Sequence, residues 1–194
     1  MTTKQTPSQT VGPYFAYGLT GTQYGYDLPS LFGPELVRPD TSGKQIRIVG
    51  QVLDGEGRPV DDAMVEIAHA DPSGHWVSSP DEIAASGFRG FGRMGTGTLA
   101  DNRFEFRTVK PGSAGVGEAP FVLVILTMRG MLNHAFTRIY FDDEPSNAED
   151  PVLLAVPAER RQTLVARRGQ DGAGVVYCFD IRMQGSQETV FFDV

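Results

Sequence analysis

A period-two pattern constrains this chain most. From Gln45 to Leu53 apolar residues alternate with polar ones, and Asp54-Gly55-Glu56-Gly57-Arg58-Pro59 follows at once. Side chains of a strand point alternately to its two faces, so alternation running into Asp-Gly predicts a half-buried strand and a turn. Ala63–His69 alternates again, which predicts an antiparallel return strand and hence a hairpin.

The same reading finds strands further along. Phe104–Val109 is closed by Lys110-Pro111-Gly112, and Phe121–Leu126 is nearly continuous apolar sequence, as expected of a strand covered on both faces. Met128-Arg129-Gly130 reads as a turn leading to a strand over Ala135–Phe141. Asp150–Arg161 predicts a loop with one short helical turn, and Val175–Met183 and Glu188–Phe192 predict closing strands. Residues 71–98 read as a glycine-rich loop.

With 23 Gly and 13 Pro punctuating short strands, the expected fold class is all-β. The expected architecture is an antiparallel β-sandwich with long loops and an extended N-terminal arm. One domain is expected over residues 1–194, with the arm at 1–44 and the core at 45–194. The arm sustains no alternation, and Tyr14, Phe15, Tyr17, Tyr24, Tyr26, Leu31 and Phe32 are its apolar handles on another surface.

Charge narrows the function classes. A net charge of -7 argues against a nucleic-acid partner, which demands a surplus of Lys and Arg on one face. An anionic small molecule would therefore need a local arginine. The single Cys178 cannot form an internal disulfide, which favours a reducing compartment, and its apolar-alternating run predicts a buried thiol. The N-terminal residues lack the apolar stretch of a secretory signal, and no segment reaches the ~18 apolar residues of a membrane span. A soluble, cytoplasmic protein is expected.

Histidine and tyrosine are scarce where a metal site would need them. Only His69, His75 and His134 are present, none in an H-x-H pair, and no tyrosine lies between Tyr26 and Tyr140. Isolated histidines at such spacing read as satisfied structural residues.

Four stretches in order carry a resemblance. They are Thr6-Pro7-Ser8-Gln9-Thr10-Val11-Gly12-Pro13-Tyr14-Phe15, Gly50–Asp54 through Val65-Glu66-Ile67, Thr108-Val109-Lys110-Pro111-Gly112, and Phe136–Asp143. Phe179–Gly185 and Glu188–Asp193 extend it to nearly the whole chain. Together they resemble the intradiol ring-cleaving dioxygenases, and within that family the iron-free alpha chain of a two-subunit enzyme.

The resemblance implies that a homologous beta chain holds ferric iron through two tyrosines and two histidines, and that this chain binds no metal. The first tyrosine position carries Trp76, the second falls at Ser113-Ala114, and the histidine pair corresponds to Phe121 and Leu123. Indole, methyl, phenyl and isobutyl groups cannot supply the oxygen and nitrogen lone pairs that ferric iron requires. Apolar filling of this kind fits a site converted to core.

The resemblance further implies that the alpha chain forms part of the wall of the partner's substrate pocket, through Thr10, Gly12, Pro13 and Arg129. Thr10 could hydrogen-bond through its hydroxyl, Gly12 permits close backbone approach, Pro13 sets chain direction, and Arg129 could attract a carboxylate. Without the resemblance, Gly-Pro in an arm reads as a turn and Arg129-Gly130 as a solvated hairpin tip. Tyr14 reads as a packing residue. The implied chemistry is cleavage of 3,4-dihydroxybenzoate by dioxygen to 3-carboxy-cis,cis-muconate. Two rival readings stand beside it: a non-enzymatic scaffold or small-ligand binding module, and a self-sufficient dioxygenase using His69 or His75 with Asp71 or Glu66.

Overall fold

The computed structural model describes residues 14–193 and is built mostly of sheet. Its strands are β1 (Gln45–Leu53), β2 (Met64–Ala68), β3 (Phe91–Gly95), β4 (Arg103–Val109), β5 (Val122–Thr127), β6 (Ala135–Phe141), β7 (Val165–Asp171), β8 (Gly174–Cys178) and β9 (Ile181–Arg182). Three short helices accompany them, α1 (Tyr14–Leu19), α2 (Pro80–Ser86) and α3 (Pro151–Ala155).

Hydrogen bonds link the strands in the order β3-β2-β5-β6-β7-β8-β1-β4, with β9 also alongside β1. The pairs β1–β4, β2–β3, β2–β5, β5–β6 and β7–β8 are antiparallel. Pairs β1–β8, β1–β9 and β6–β7 are parallel, which departs from the expected purely antiparallel arrangement.

The hairpin expected between β1 and β2 does not form. Its turn does: Asp54 Oδ1 accepts from the Glu56 and Arg58 amides at 2.9 Å each, and Val60 N donates to Val52 O at 2.8 Å. Beyond it the chain leaves, because β4 pairs along one edge of β1 while β8 and β9 occupy the other. Met64–Ala68 instead lies between β3 and β5.

Alternation divides the side chains between two apolar clusters. Ile46, Ile48, Val65, Ile67, Phe104, Phe106, Val122, Val124, Leu126, Ile139, Phe141 and Tyr177 fill the main core. Phe121, Tyr140, Leu153, Val156 and Leu164 form a second cluster, against which Leu123 packs. On β6, Ile139 and Phe141 face one cluster while Tyr140 faces the other.

The first described segment, 14–44, is tied to the sheet. Gln23 Oε1 accepts from Gly95 N at 2.9 Å, and the Tyr24 hydroxyl donates to Thr96 O at 2.6 Å. Residues 33–37 lie between the two outermost strands. Arg93 N donates to Gly33 O at 3.1 Å on the β3 side, while Arg107 N donates to Pro34 O and Leu36 N to Arg107 O, each at 2.9 Å, on the β4 side.

Several sequence expectations need correction. Residues 71–98 hold α2 and β3 as well as loop. Ser79 caps α2 by accepting from Glu82 N at 3.2 Å, Pro80 opens it, and left-handed Gly87 ends it. Glu188–Phe192 makes one isolated bridge, Phe136 to Phe192, in place of a strand. Cys178 is exposed, because Tyr177 and Phe179 on either side turn into the core and leave it the outward face. Among the described residues no helix is long and apolar enough to cross a membrane.

Candidate functional site

The positions at which the resemblance places iron ligands do come together. Asp71 Oδ1 accepts from Ser73 N at 2.8 Å and His75 N at 3.0 Å, folding residues 71–75 into a tight turn. Gly112 N donates to Asp71 O at 2.9 Å, which docks that turn on the segment carrying Ser113 and Ala114. Gly74 has φ +87° and lies so close to the Ser113 carbonyl that a Cβ there would collide with it. Trp76 then reaches Phe121, with ring centroids 6.3 Å apart.

Phe121 is buried and lies 6.2 Å, centroid to centroid, from Tyr140. The Arg138 guanidinium stacks over the Phe121 ring with Cζ 4.0 Å from its centroid. Leu123 is half-buried beside them. The expected conversion to core is incomplete, since Trp76 remains 38% exposed and forms the rim.

This set of side chains does not fit a ferric ion. A permanent cation, Arg138, stands over Phe121, and the nearby Tyr140 phenol is pushed up to about 12, chiefly by burial. Tyr140 is also engaged, donating to Asp150 Oδ1 at 3.0 Å. Among the described residues no group of three His, Cys, Asp or Glu side chains converges on a common point.

The rival ligand set is scattered. His69 is fully buried between Ala70 O, 2.8 Å from Nδ1, and Thr108 Oγ1, 2.7 Å from Nε2. A carbonyl can only accept, so Nδ1 carries the proton and Nε2 accepts from the threonine. Burial lowers the imidazole pKa to about 4. Glu66 pairs with Arg93, and His75 lies 3.4 Å from Glu82. These contacts remove the set His69, His75, Asp71 and Glu66 from consideration.

Arg129 follows β5 in an exposed turn, where two adjacent carboxylates hold it. Its Nε lies 2.8 Å from Asp62 Oδ2, and Nη2 pairs with Asp61 Oδ1. The close contact with the Asp62 carboxylate, together with the charge of Asp61, raises the guanidinium pKa. Asp61, Val60, Pro59, Arg58, Asp54 and Met128 join Arg129 around a cleft of about 430 Å³.

Tyr24 belongs to the same neighbourhood. Burial chiefly pushes its phenol up to about 12, with the charges of Tyr17, Asp62 and Asp61 adding to the shift. The Gln23–Tyr24 anchor therefore brings the N-terminal segment beside the carboxylates that hold Arg129. Thr10, Gly12 and Pro13 lie outside the described residues. Asp61 and Asp62 were not singled out by sequence, their one visible signal being the Asp-Asp pair after Pro59-Val60, whereas Tyr24 is one of the apolar handles expected of the N-terminal segment.

Residues 33–185 match the family model described as Dioxygenase. The chain belongs to the intradiol dioxygenase family. Relatives within it are similar over most or all of this chain. The protocatechuate 3,4-dioxygenase alpha chain of Burkholderia cepacia is 60% identical, covering 100% of this chain and 99% of that protein. The protocatechuate 3,4-dioxygenase beta chain of Burkholderia cepacia is 31% identical, covering 76% of this chain and 67% of that one. Among solved structures, the dioxygenase domain of a dioxygenase carbohydrate-binding protein fusion from Streptomyces sp. SirexAA-E superposes with a TM-score of 0.63 at 25% identity, covering 79% of this chain and 88% of that one.

Proposed function

We propose that this chain is the alpha subunit of a protocatechuate 3,4-dioxygenase and that it works with an iron-bearing beta chain. In this reading the pair cleaves 3,4-dihydroxybenzoate with dioxygen between its two hydroxyl-bearing carbons, giving 3-carboxy-cis,cis-muconate. One contrast carries the reading: similarity to an alpha chain extends over the full length at 60% identity, against 31% over part of the chain for a beta chain. The replacement of all four iron-ligand positions by Trp76, Ser113-Ala114, Phe121 and Leu123 supports assigning the ferric ion to the partner.

The contribution of this chain is then binding and orientation. Arg129 supplies charge-assisted hydrogen bonds to the substrate carboxylate in a protein whose net charge of -7 otherwise repels an anion. Thr10 offers a hydroxyl, Gly12 close backbone approach and Pro13 a fixed chain direction at the pocket wall. The single domain is a β-sandwich whose N-terminal arm reaches the partner's site, and the particle is a hetero-oligomer of alpha-beta units in the cytoplasm.

The test compares this chain expressed alone with the chain co-expressed with a beta chain. An iron-free, inert lone chain and a ferric pair that consumes oxygen on adding 3,4-dihydroxybenzoate support the reading. Stoichiometric iron and turnover in the lone chain would overturn it.

A further inference from the structure

Arg129 is held by two carboxylates in very different surroundings. The Asp62 side chain is 2% exposed and the Asp61 side chain 59%. Among the described residues neither buried Asp62 oxygen has a well-aligned hydrogen-bond donor, so its compensation is the ion pair with Arg129 Nε at 2.8 Å. Separating that pair would leave a buried charge uncompensated, a far larger penalty than loss of an exposed contact. Asp61 holds only the solvent-facing Nη2, and an exposed pair exchanges readily with another carboxylate.

The guanidinium geometry gives this asymmetry a use. A carboxylate binds arginine most strongly through two parallel N–H donors. Asp62 occupies Nε, so the fork left for a ligand is Nη1 with Nη2, and Asp61 sits on half of it. The adjoining cleft of about 430 Å³ is large enough for an aromatic acid.

We propose that Asp61 and Asp62 divide the control of Arg129. Asp62 is a positioning residue that holds the guanidinium beside the cleft; Asp61 is an exchangeable counter-ion that the carboxylate of an incoming aromatic acid displaces. This rests on the reading of Arg129 as a pocket residue. Asp61 thereby acts as an internal competitor for carboxylated substrates and not for neutral catechols.

The experiment uses the co-purified alpha-beta enzyme, with oxygen uptake measured on 3,4-dihydroxybenzoate and on catechol, which lacks the carboxylate. Asp61→Asn should lower KM for 3,4-dihydroxybenzoate about twofold to fivefold, the range set by an exposed ion pair, while kcat and the KM for catechol stay level. Asp62→Asn should raise KM for the acid by about tenfold with kcat held within about twofold, because the guanidinium loses its fixed direction. Should Asp62→Asn fail to fold, the exposed Asp61→Asn still decides the matter. A raised KM in Arg129→Ala together with an unchanged KM in Asp61→Asn overturns the proposal alone. An Arg129→Ala enzyme indistinguishable from the parent removes the pocket reading and the proposal with it.

Discussion

The Tyr140 hydroxyl donates to Asp150 Oδ1 at 3.0 Å, and both residues are fully buried. Asp150 also accepts from Leu153 N at 2.7 Å, capping α3, and from Ala119 N at 2.9 Å. One carboxylate therefore fixes a helix start, the strand carrying Tyr140 and the segment entering Phe121. Asp150→Ala should cost about 3 kcal/mol, combining a lost cap with two orphaned buried donors, and Tyr140→Phe about 1 kcal/mol. Urea unfolding of the two variants beside the parent measures both; equal losses would contradict the hub role of Asp150.

His69 makes stability depend on acid. Its folded pKa, lowered to about 4 by burial, lies below the unfolded value of 6.5. The unfolded chain therefore takes up the proton first, and stability present above pH 6.5 is lost as pH falls toward 4. The expected loss between pH 7.5 and pH 5 is about 2 kcal/mol from this residue alone. Comparing urea midpoints at the two pH values, in the parent and in His69→Gln, isolates the term. The variant should be less stable at pH 7.5 and less sensitive to the change.

Trp76 is the sole tryptophan, which makes its contact with Phe121 optically readable. Phe121→Ala removes a buried ring stacked between Trp76, Tyr140 and Arg138, and should destabilise by about 3–4 kcal/mol. Tryptophan emission should shift to the red as the indole loses its inner neighbour. An unshifted spectrum would mean that Trp76 does not rest on Phe121 in solution.

Exposure of Cys178 predicts rapid stoichiometric labelling of the native protein by a thiol reagent. Cys178→Ser should abolish labelling and change stability by no more than about 0.5 kcal/mol. Labelling only after denaturant is added would restore the buried placement that its sequence neighbours suggest.

Legibility in the sequence followed how a strand is covered. β1 and β4 alternate apolar residues over one core face and were readable from Ile46 and Phe104 onward, while β5 and β6, whose two faces serve different clusters, were readable as the apolar runs Phe121–Leu126 and Ala135–Phe141. β3 was hidden because Gly92 occupies one of its buried positions, where Leu36 packs so closely that a Cβ would collide with it. β7 was hidden because Ala166 is its one buried residue, so Arg167, Arg168, Gln170 and Asp171 show no apolar period. The failed hairpin has a topological cause: nothing in Gln45–Leu53 records that its edges are taken by residues some 60 and 130 positions away.

The site divides the same way. Arg129 and the four replaced ligand positions were legible because the resemblance supplies a place for each. Asp62 was not, since its sequence context is that of a turn, and neither its burial nor its ion pair with Arg129, more than sixty residues later, leaves a local signal.

The passage of residues 33–37 between β3 and β4 bears on what happens before any partner arrives. Both outermost strands have main-chain groups committed to the same short segment, through Gly33, Pro34 and Leu36. A sheet with open margins invites recruitment by another copy, the usual beginning of aggregation. Here those margins are spoken for within the molecule. A subunit awaiting assembly can thus leave Leu28 and Leu31 exposed without also presenting a template for runaway strand addition.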